Sequence, residues 1–457
     1  MNIIRTINNI VGSGALLLTA TLCFACSDIP ALPQYTGDGS EGDDSEQTTL
    51  PHPCMLHTEA DFEFIRAKVQ AGAQPWTGAF AHLERSNHAA ASWQANPVKK
   101  LARLDQNNWQ ATYPNDWSNY TNLMRDAASA YQLALRWKIS GDDTYATAAI
   151  GILNAWARTC TGYITNTQGN LIDPNQFLIA IQVHQINNAA EILRTSSLWA
   201  EADFEAYKKW VVDVFYQHAS RFLQTHNNGA CQQHYWLNWD LANMTAVLSI
   251  GILTDDQYKI DEAVKYFKTG IGNGNINNAV PYVYQDPDSN EQIGQCQESG
   301  RDQGHATLCV SLLGAFCQMA KNVGEDLFTY DNSKALAMCE YVGKHNYGTT
   351  YTGSGGSRML TNFAYDISGL PFTAYENCSQ NTPNLSAVGR GTVRPAWELI
   401  HRLATDYGLS DIYTRQWVEM MRGQESLGNS DGGQGDYGPN SGGYDQLGYG
   451  TLMFARE

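Results

Sequence analysis

The chain has 457 residues and a net charge of −17, from 29 basic and 46 acidic side chains. That balance excludes a general affinity for nucleic acid and argues against a broad polyanion-binding surface, so an anionic ligand needs a pocket where the local field is reversed. A hydrophobic content of 43% fits a folded body of enzyme size.

Residues 1–25 carry one basic residue, Arg5, and then an apolar stretch from Ala15 to Phe24. The stretch is too short to span a bilayer comfortably and predicts a signal peptide. Cys26 follows the small residue Ala25, as in a bacterial lipoprotein signal. This predicts lipidation of Cys26 and anchoring to the outer membrane, facing the periplasm or the cell exterior. Leu22 stands one place further from Cys26 than that signal usually has it, so ordinary secretion is the alternative. Residues 26–50 are rich in Gly, Asp, Glu, Ser and Thr and predict a flexible acidic tether, because such a segment buries too little apolar surface to fold. The lipid is then the protein's one expected link to a membrane. Residues 51–457 form the expected catalytic domain, with a monomer expected.

Helical hairpins follow one another. Ala127, Ala130, Tyr131, Ala134 and Leu135 recur at helical spacing within Leu123–Trp137. Ser140-Gly141-Asp142-Asp143 supplies a stop and an N-cap before a helix from about Thr144 to Arg158. The same rhythm predicts helices at Phe177–Arg194, Ala202–Leu223, Leu237–Leu253, Asp256–Lys268, Thr307–Lys321, Ser333–Val342, Arg394–Thr405 and Asp411–Met421. Strand signals are sparse, as at Val280–Tyr284. Paired helices without a strict repeat predict an all-α fold, an (α/α) toroid of six to seven hairpins forming an incomplete barrel with a central cleft. An open solenoid is the alternative.

Polar and aromatic residues inside apolar helices mark the expected cleft: His184 to Glu191, including Asn187 and Asn188, and Gln232 to Asp240, including His234, Trp236, Asn238 and Trp239. The run Gln297-Glu298-Ser299-Gly300-Arg301-Asp302-Gln303-Gly304-His305 gathers acid, arginine, amide and histidine directly before the apolar stretch Ala306–Ala320. A loop entering a helix there collects cationic and proton-transferring groups at an N-terminus that favours anions. Trp117-Ser118-Asn119-Tyr120, His234-Tyr235-Trp236 and Trp239 offer stacking surfaces for sugars. Between Gly423 and Gly450, glycines interleave with tyrosines that include Tyr437 and Tyr444. That pattern suits a loop whose backbone approaches a ligand closely. Beyond Cys26, eight cysteines are scattered without a CxxC pair, which argues against zinc, while export permits disulfides whose pairing the sequence leaves open.

The serial hairpins, the Asn238-Trp239 pair opening one helix and Glu298-x-x-Arg301 further on resemble the alginate lyase superfamily of toroidal polysaccharide lyases, nearest polysaccharide lyase family 38. The resemblance runs from about Leu56 to the C-terminus. It implies a polysaccharide lyase acting on an anionic polysaccharide, alginate (mannuronate-rich first) or glucuronan. Where those families often show Asn-Asn-His, this chain has Asn238-Trp239, with His234 one helical turn earlier; His305 follows Arg301 where a tyrosine is expected.

Elimination across C4–C5 of a uronate needs the carboxylate neutralised by preorganised donors, a base for the C5 proton and an acid for O4. The resemblance implies Asn238 and Arg301 as donors, helped by Asn188. His305, His234 and Tyr444 are the candidates for proton transfer. Glu298, Asn187, Asn188, Trp236, Trp239, Gln303 and Tyr437 are candidates for substrate contact, with Glu298 orienting Arg301 or His305. No metal or other cofactor is required. Two rivals remain at this level: a toroid glycoside hydrolase using Asp240, Glu298 or Asp302, and a non-catalytic glycan-binding lipoprotein.

Overall fold

The computed structural model describes residues 50–105, 118–229, 231–352 and 358–456. The expected signal peptide, Cys26, the tether as far as residue 49 and Trp117 lie outside the described residues. The chain falls into two units, Met1–Thr48 and Thr49–Glu457, and the described residues all belong to the second.

Two helices that the sequence reading missed open this unit, α1 (Glu59–Gln70) and α2 (Trp76–Arg85). The first had a signal in Thr58-x-x-Asp61. Thr58 Oγ1 accepts from Asp61 N at 3.3 Å, and Asp61 Oδ2 accepts from Thr58 N at 2.9 Å, a reciprocal cap. The hairpins follow as α3 (Tyr120–Ser140) with α4 (Asp143–Thr159), then α5 (Ala180–Leu193), α6 (Glu201–Val211) and α7 (Gln217–Thr225). Next come α8 (Leu237–Leu253) with α9 (Gln257–Thr269), the single turn α10 (Ile276–Ala279), and α11 (Gln303–Asn322) with α12 (Tyr330–Asn346). The series ends with α13 (Trp397–Asp406), α14 (Ile412–Arg422) and the short α15 (Gly450–Phe454).

Turn chemistry sets the boundaries as expected. Gly141 ends α3 at φ 75°, in the left-handed region, and Asp142 caps α4 by accepting from Thr144 N at 2.9 Å. Two predicted helices are broken. The one expected from Phe177 starts as a 3₁₀ turn, Pro174–Ile179, and the one expected over Ala202–Leu223 widens into a π turn at Val212–Tyr216. The π turn shifts the helix register so that Val214 and Phe215 both reach the core.

Helices α3, α5, α8, α11 and α13 pack one against the next, with α4, α9 and α14 outside them. Helices α5, α8 and α11 are buried nearly all round; Trp239 is the one residue of α8 that is not fully buried. The outer helices bury one face, as an amphipathic stripe requires. At the end of the chain α15 packs on α1 and α2. There Trp76 Nε1 donates to Ala455 O at 3.3 Å and Arg456 pairs with Asp61, so the two ends of the unit meet. Among the described residues three antiparallel ribbons decorate the helices: β1 (Tyr282–Gln285) with β2 (Gln292–Gln295), β3 (Gly348–Thr352) with β4 (Met359–Phe363), and β5 (Tyr375–Glu376) with β6 (Asn381–Thr382). Among the described residues no helix is long and apolar enough to cross a membrane.

Two inner-helix amides proposed as substrate contacts belong to this packing instead. Asn187 Nδ2 donates to Ser249 Oγ at 3.0 Å, while its Oδ1 accepts from Tyr207 OH at 3.2 Å. Asn188 Oδ1 accepts from Leu56 N at 3.0 Å, and its Nδ2 donates to His184 O. Both are buried, because an amide between packed helices is stable only when its donors and acceptor are paired there.

Burial also makes stability depend on pH. It pushes His57, His88, His218 and His345 down to about 4 and His184 down to about 3. The folded-state values lie below the unfolded one, so the unfolded chain takes up protons that the native state refuses as pH falls through this window. The stability these rings contribute is present above about pH 6.5 and is lost toward pH 4. Glu340 and Asp431, pushed up to about 7 by burial, act in the opposite sense. Burial also raises Asp126 and Asp445, so five rings stand against four carboxyls and predict a Tm that falls modestly between about pH 6.5 and pH 4.5. A Tm that rises steadily over that interval in differential scanning calorimetry contradicts this.

Candidate active site

The site is built around a carboxylate. Glu298 has a side chain with no exposure and lies at the N-terminus of α8. Trp236, the N-cap residue of α8, offers no capping side chain, so the first N–H groups of the helix find partners on another segment. Gln297 Oε1 accepts from Leu237 N at 3.0 Å, and Glu298 Oε1 accepts from Asn238 N at 2.7 Å. The same oxygen accepts from Asn238 Nδ2 at 2.7 Å and from Cys309 Sγ at 3.3 Å. The other carboxylate oxygen, Oε2, accepts from Arg301 Nη1 at 2.9 Å. Glu298 therefore holds Arg301 and also ties α8 to the loop that leads into α11.

Arg301 is 26% exposed and its guanidinium lies 4.9 Å from the Trp236 ring. Cation and aromatic face together make a surface suited to a sugar that carries a carboxylate. One turn on, His305 is 39% exposed, and its Nε2 accepts from Arg301 Nη2 at 3.2 Å. Its Nδ1 lies 2.6 Å from Asp302 Oδ2, while Asp302 Oδ1 caps α11 by accepting from His305 N at 2.9 Å. Burial opposes ionisation of Asp302, but the hydrogen bonds from the His305 ring and backbone, together with the charge of Arg301, hold its carboxyl below the ordinary value. The predicted gathering of charge at a helix N-terminus is thus realised at α11.

A second wall comes from the C-terminal tail. Arg394 Nε donates to Gly304 O at 3.3 Å and its Nη1 to Gln446 Oε1 at 2.8 Å, with Asp445 Oδ2 at 3.6 Å from Nη1. Burial raises the Asp445 carboxyl, and the charges of Arg394 and Arg103 oppose that rise. Beside it, Tyr444 OH lies 3.1 Å from His88 Nε2. Burial pushes His88 down to about 4, so the ring is neutral and shares one hydrogen bond with the phenol. Burial also raises Tyr444, an effect that the charge of Arg125 opposes. His88 was missed in the sequence because it sits in a short polar turn, Asn87–Ala89, with no recognisable motif.

Several expected contacts are placed elsewhere. Asn238 is 2% exposed and its amide is committed to Glu298, so it supports Arg301 from behind. Gln303 is buried, donating to Ser299 O and Ser386 O and accepting from Asn346 Nδ2. Tyr437 is buried, with its hydroxyl on Asp431 O. The tail glycines serve backbone-to-backbone packing: a Cβ on Gly443 would meet Gly438 O at 1.9 Å, closer than any atom can approach. Trp239 packs on Tyr235 at 4.6 Å and Phe222 at 6.2 Å. His234 faces the carbonyl of Cys231 and the Tyr235 ring, on a segment bound to the β5–β6 ribbon by the Cys231–Cys378 disulfide. The carboxylates that kept a hydrolase open are all committed to partners. Asp240 bonds His226 and Tyr266, Glu298 bonds Asn238 and Arg301, and Asp302 bonds His305.

His52, Cys54 and Glu191 bring possible metal-ligand atoms within 4.8 Å of one another. Arg194 Nη1 already lies 2.8 Å from His52 Nδ1 and 2.9 Å from Glu191 Oε2, so a guanidinium supplies the positive charge there.

The family model described as alginate lyase matches residues 75–345, more than half of the chain and the whole stretch that carries Glu298, Arg301 and His305. The chain belongs to the alginate lyase family. It is a polysaccharide lyase, and an anionic polysaccharide is the kind of substrate the family takes. Two solved structures share its fold. An alginate lyase from Bacteroides ovatus has 13% sequence identity, with a TM-score of 0.51 over 89% of this chain and 100% of its own. A histidine-to-alanine variant of alginate lyase A1-III from Sphingomonas species A1, in its apo form, has 14% identity, with a TM-score of 0.52 over 90% of this chain and 98% of its own. A comparison with curated protein sequences finds no match. The toroidal, nearly all-helical architecture expected from the sequence is the fold of these lyases.

Removing the central carboxylate should unseat both helix and guanidinium. Glu298→Ala leaves Asn238 N and Nδ2 without an acceptor in a buried place, and should cost about 2–4 kcal/mol. Urea denaturation followed by circular dichroism should show a lower midpoint with an unchanged slope. A midpoint within error of the parent protein would mean that water replaces the carboxylate.

Proposed function

We propose that this lyase cleaves a (1→4)-linked polyuronate by β-elimination across C4–C5, with mannuronate-rich alginate as the first candidate and glucuronan as the second. The observation that carries this reading is Arg301. It is a partly exposed guanidinium fixed by Glu298 and Trp236 at the N-terminal ends of two inner helices, within a chain of net charge −17. A local cation of this kind has a use where the ligand is an anion.

In the proposed reaction the uronate carboxylate pairs with Arg301, which stabilises charge as it develops on removal of the C5 proton. His305 Nε2, one hydrogen bond from Arg301, is placed to take that proton. Tyr444, its hydroxyl on neutral His88, is the candidate to protonate O4. Trp236 supplies the stacking face. Asn238, first assigned to the carboxylate, acts here through Glu298 as a positioning residue. Mannuronate and glucuronate differ at C2, and Arg301 recognises the carboxylate that both carry.

We also propose export and lipid anchoring through Cys26. The leader pattern supports this, and so does the Cys231–Cys378 disulfide, which is stable in an oxidising compartment. A Cys26→Ala protein should leave the membrane fraction.

The substrate is tested by incubating the protein with alginate, glucuronan and a neutral glucan while following ultraviolet absorbance of the unsaturated product. Absorbance should rise with the two polyuronates alone; equal cleavage of the neutral glucan contradicts the reading. Arg301→Ala should lower kcat/KM by about two to three orders of magnitude without loss of fold. Tyr444→Phe removes a hydroxyl and almost no volume, and should lower kcat by at least about hundredfold. Full activity in Tyr444→Phe would assign protonation of O4 to another group.

A further inference from the structure

The geometry around His305 points to a base whose form is set by one neighbour and masked by another: Asp302 is a positioning residue that fixes the His305 tautomer, and Arg301 covers the resulting lone pair until a substrate carboxylate engages the guanidinium. This rests on the lyase reading above.

The two ring nitrogens face partners of opposite kind. Nδ1 lies 2.6 Å from Asp302 Oδ2, an oxygen that only accepts, so Nδ1 carries the proton. Nε2 lies 3.2 Å from Arg301 Nη2, and a guanidinium only donates, so Nε2 carries the lone pair. Both partners prescribe the same neutral tautomer. Asp302 is well suited to enforce it. Its Oδ1 accepts from His305 N at 2.9 Å, so one carboxylate holds both the backbone and the ring of the same residue. Capping α11 fixes Asp302, and the Asp302-x-x-His305 spacing brings the ring back over it. A carboxylate behind the imidazole also stabilises the positive charge that the ring gains on taking a proton.

The masking follows from competition for one cation. In the free protein Arg301 donates to Glu298 through Nη1 and to His305 through Nη2. A uronate carboxylate is a stronger acceptor than a neutral imidazole, so it draws Nη2–H to itself while the Glu298 bond holds the guanidinium in place. Nε2 is then left with a free lone pair beside the sugar. The C5–H bond breaks and its proton joins Nε2. The electron pair is held first on the Arg301-paired carboxylate, then forms the C4–C5 double bond as C4–O4 breaks, and O4 takes the hydroxyl proton of Tyr444, which solvent later restores. The imidazolium later returns its proton to solvent. A neutral sugar would leave Arg301 on His305, so the base becomes available only to a carboxylated substrate.

Heteronuclear NMR of the histidine ring nitrogens in the full-length protein tests both halves without substrate. In the parent protein His305 should be protonated at Nδ1, and Asp302→Asn should mix or reverse the tautomers, since the amide can present N–H to the ring. In Arg301→Ala the Nε2 resonance should move toward that of an unbonded lone pair. Asn and Ser both retain the helix cap, so Asp302→Asn and Asp302→Ser should fold, and each should lower kcat on alginate about hundredfold or more with KM within about threefold. An Nε2-protonated His305 in the parent protein, or kcat near the parent value in both Asp302 variants, overturns the positioning role. An Nε2 resonance unchanged in Arg301→Ala overturns the masking. If the parent protein releases no unsaturated product from alginate or glucuronan, the lyase reading of this site fails, and the NMR measurements still decide the tautomer and the mask.

Discussion

The site depends on one buried carboxylate. Glu298 has no contact with water, and a buried anion is tolerable only when its surroundings supply donors and positive charge. The N-terminus of α8 supplies Asn238 N–H and the helix dipole, the Asn238 side chain supplies a second donor, and Arg301 supplies the charge. Each of these groups is held by the need to satisfy Glu298. Arg301 is consequently oriented before any ligand arrives, and two inner helices that are distant in sequence are locked at the same end. A flexible surface arginine would lose side-chain entropy on binding an anion, whereas one already fixed on a carboxylate and an aromatic face loses little.

The polar content of the inner helices divides by depth. Near the helix N-termini, Trp236, Arg301 and His305 remain partly exposed and available to a ligand. Deeper in, Asn187 and Asn188 bond to helix neighbours and to loop backbone, and Gln303, in the first turn of α11, turns inward to do the same. The chemistry of an amide is the same in both places, and what differs is whether protein groups already occupy its donors and acceptor. The tail follows the same rule. Tyr437 is spent on Asp431, while Tyr444 meets a neutral histidine across from the segment that carries His305.

Irregular segments carry much of the site, and each is restrained. The stretch before α8 has its carbonyls bonded by Asn273 and Asn377 and is tied to the β5–β6 ribbon by the Cys231–Cys378 disulfide. The tail is stapled to the first turn of α11 by Arg394. Loops restrained in this way can present side chains at fixed positions while the helices behind them supply a rigid frame.

The sequence by itself determined the helical hairpins, their caps and the run Glu298 to His305, because these are local. Hydrophobic period, Gly141 and Asp142 at a turn, and Asp302 before an apolar helix act within a few residues. Even there, π and 3₁₀ interruptions escaped, since a shift of one residue in register is decided by what the helix packs against. Pairings over long separations were legible only in the tertiary structure: Glu298 with Asn238, Tyr444 with His88, Cys231 with Cys378. So was the fate of each buried amide. Composition shows that polar groups lie within apolar helices, but only the packing of one helix on another decides whether a given donor meets a protein partner or a ligand.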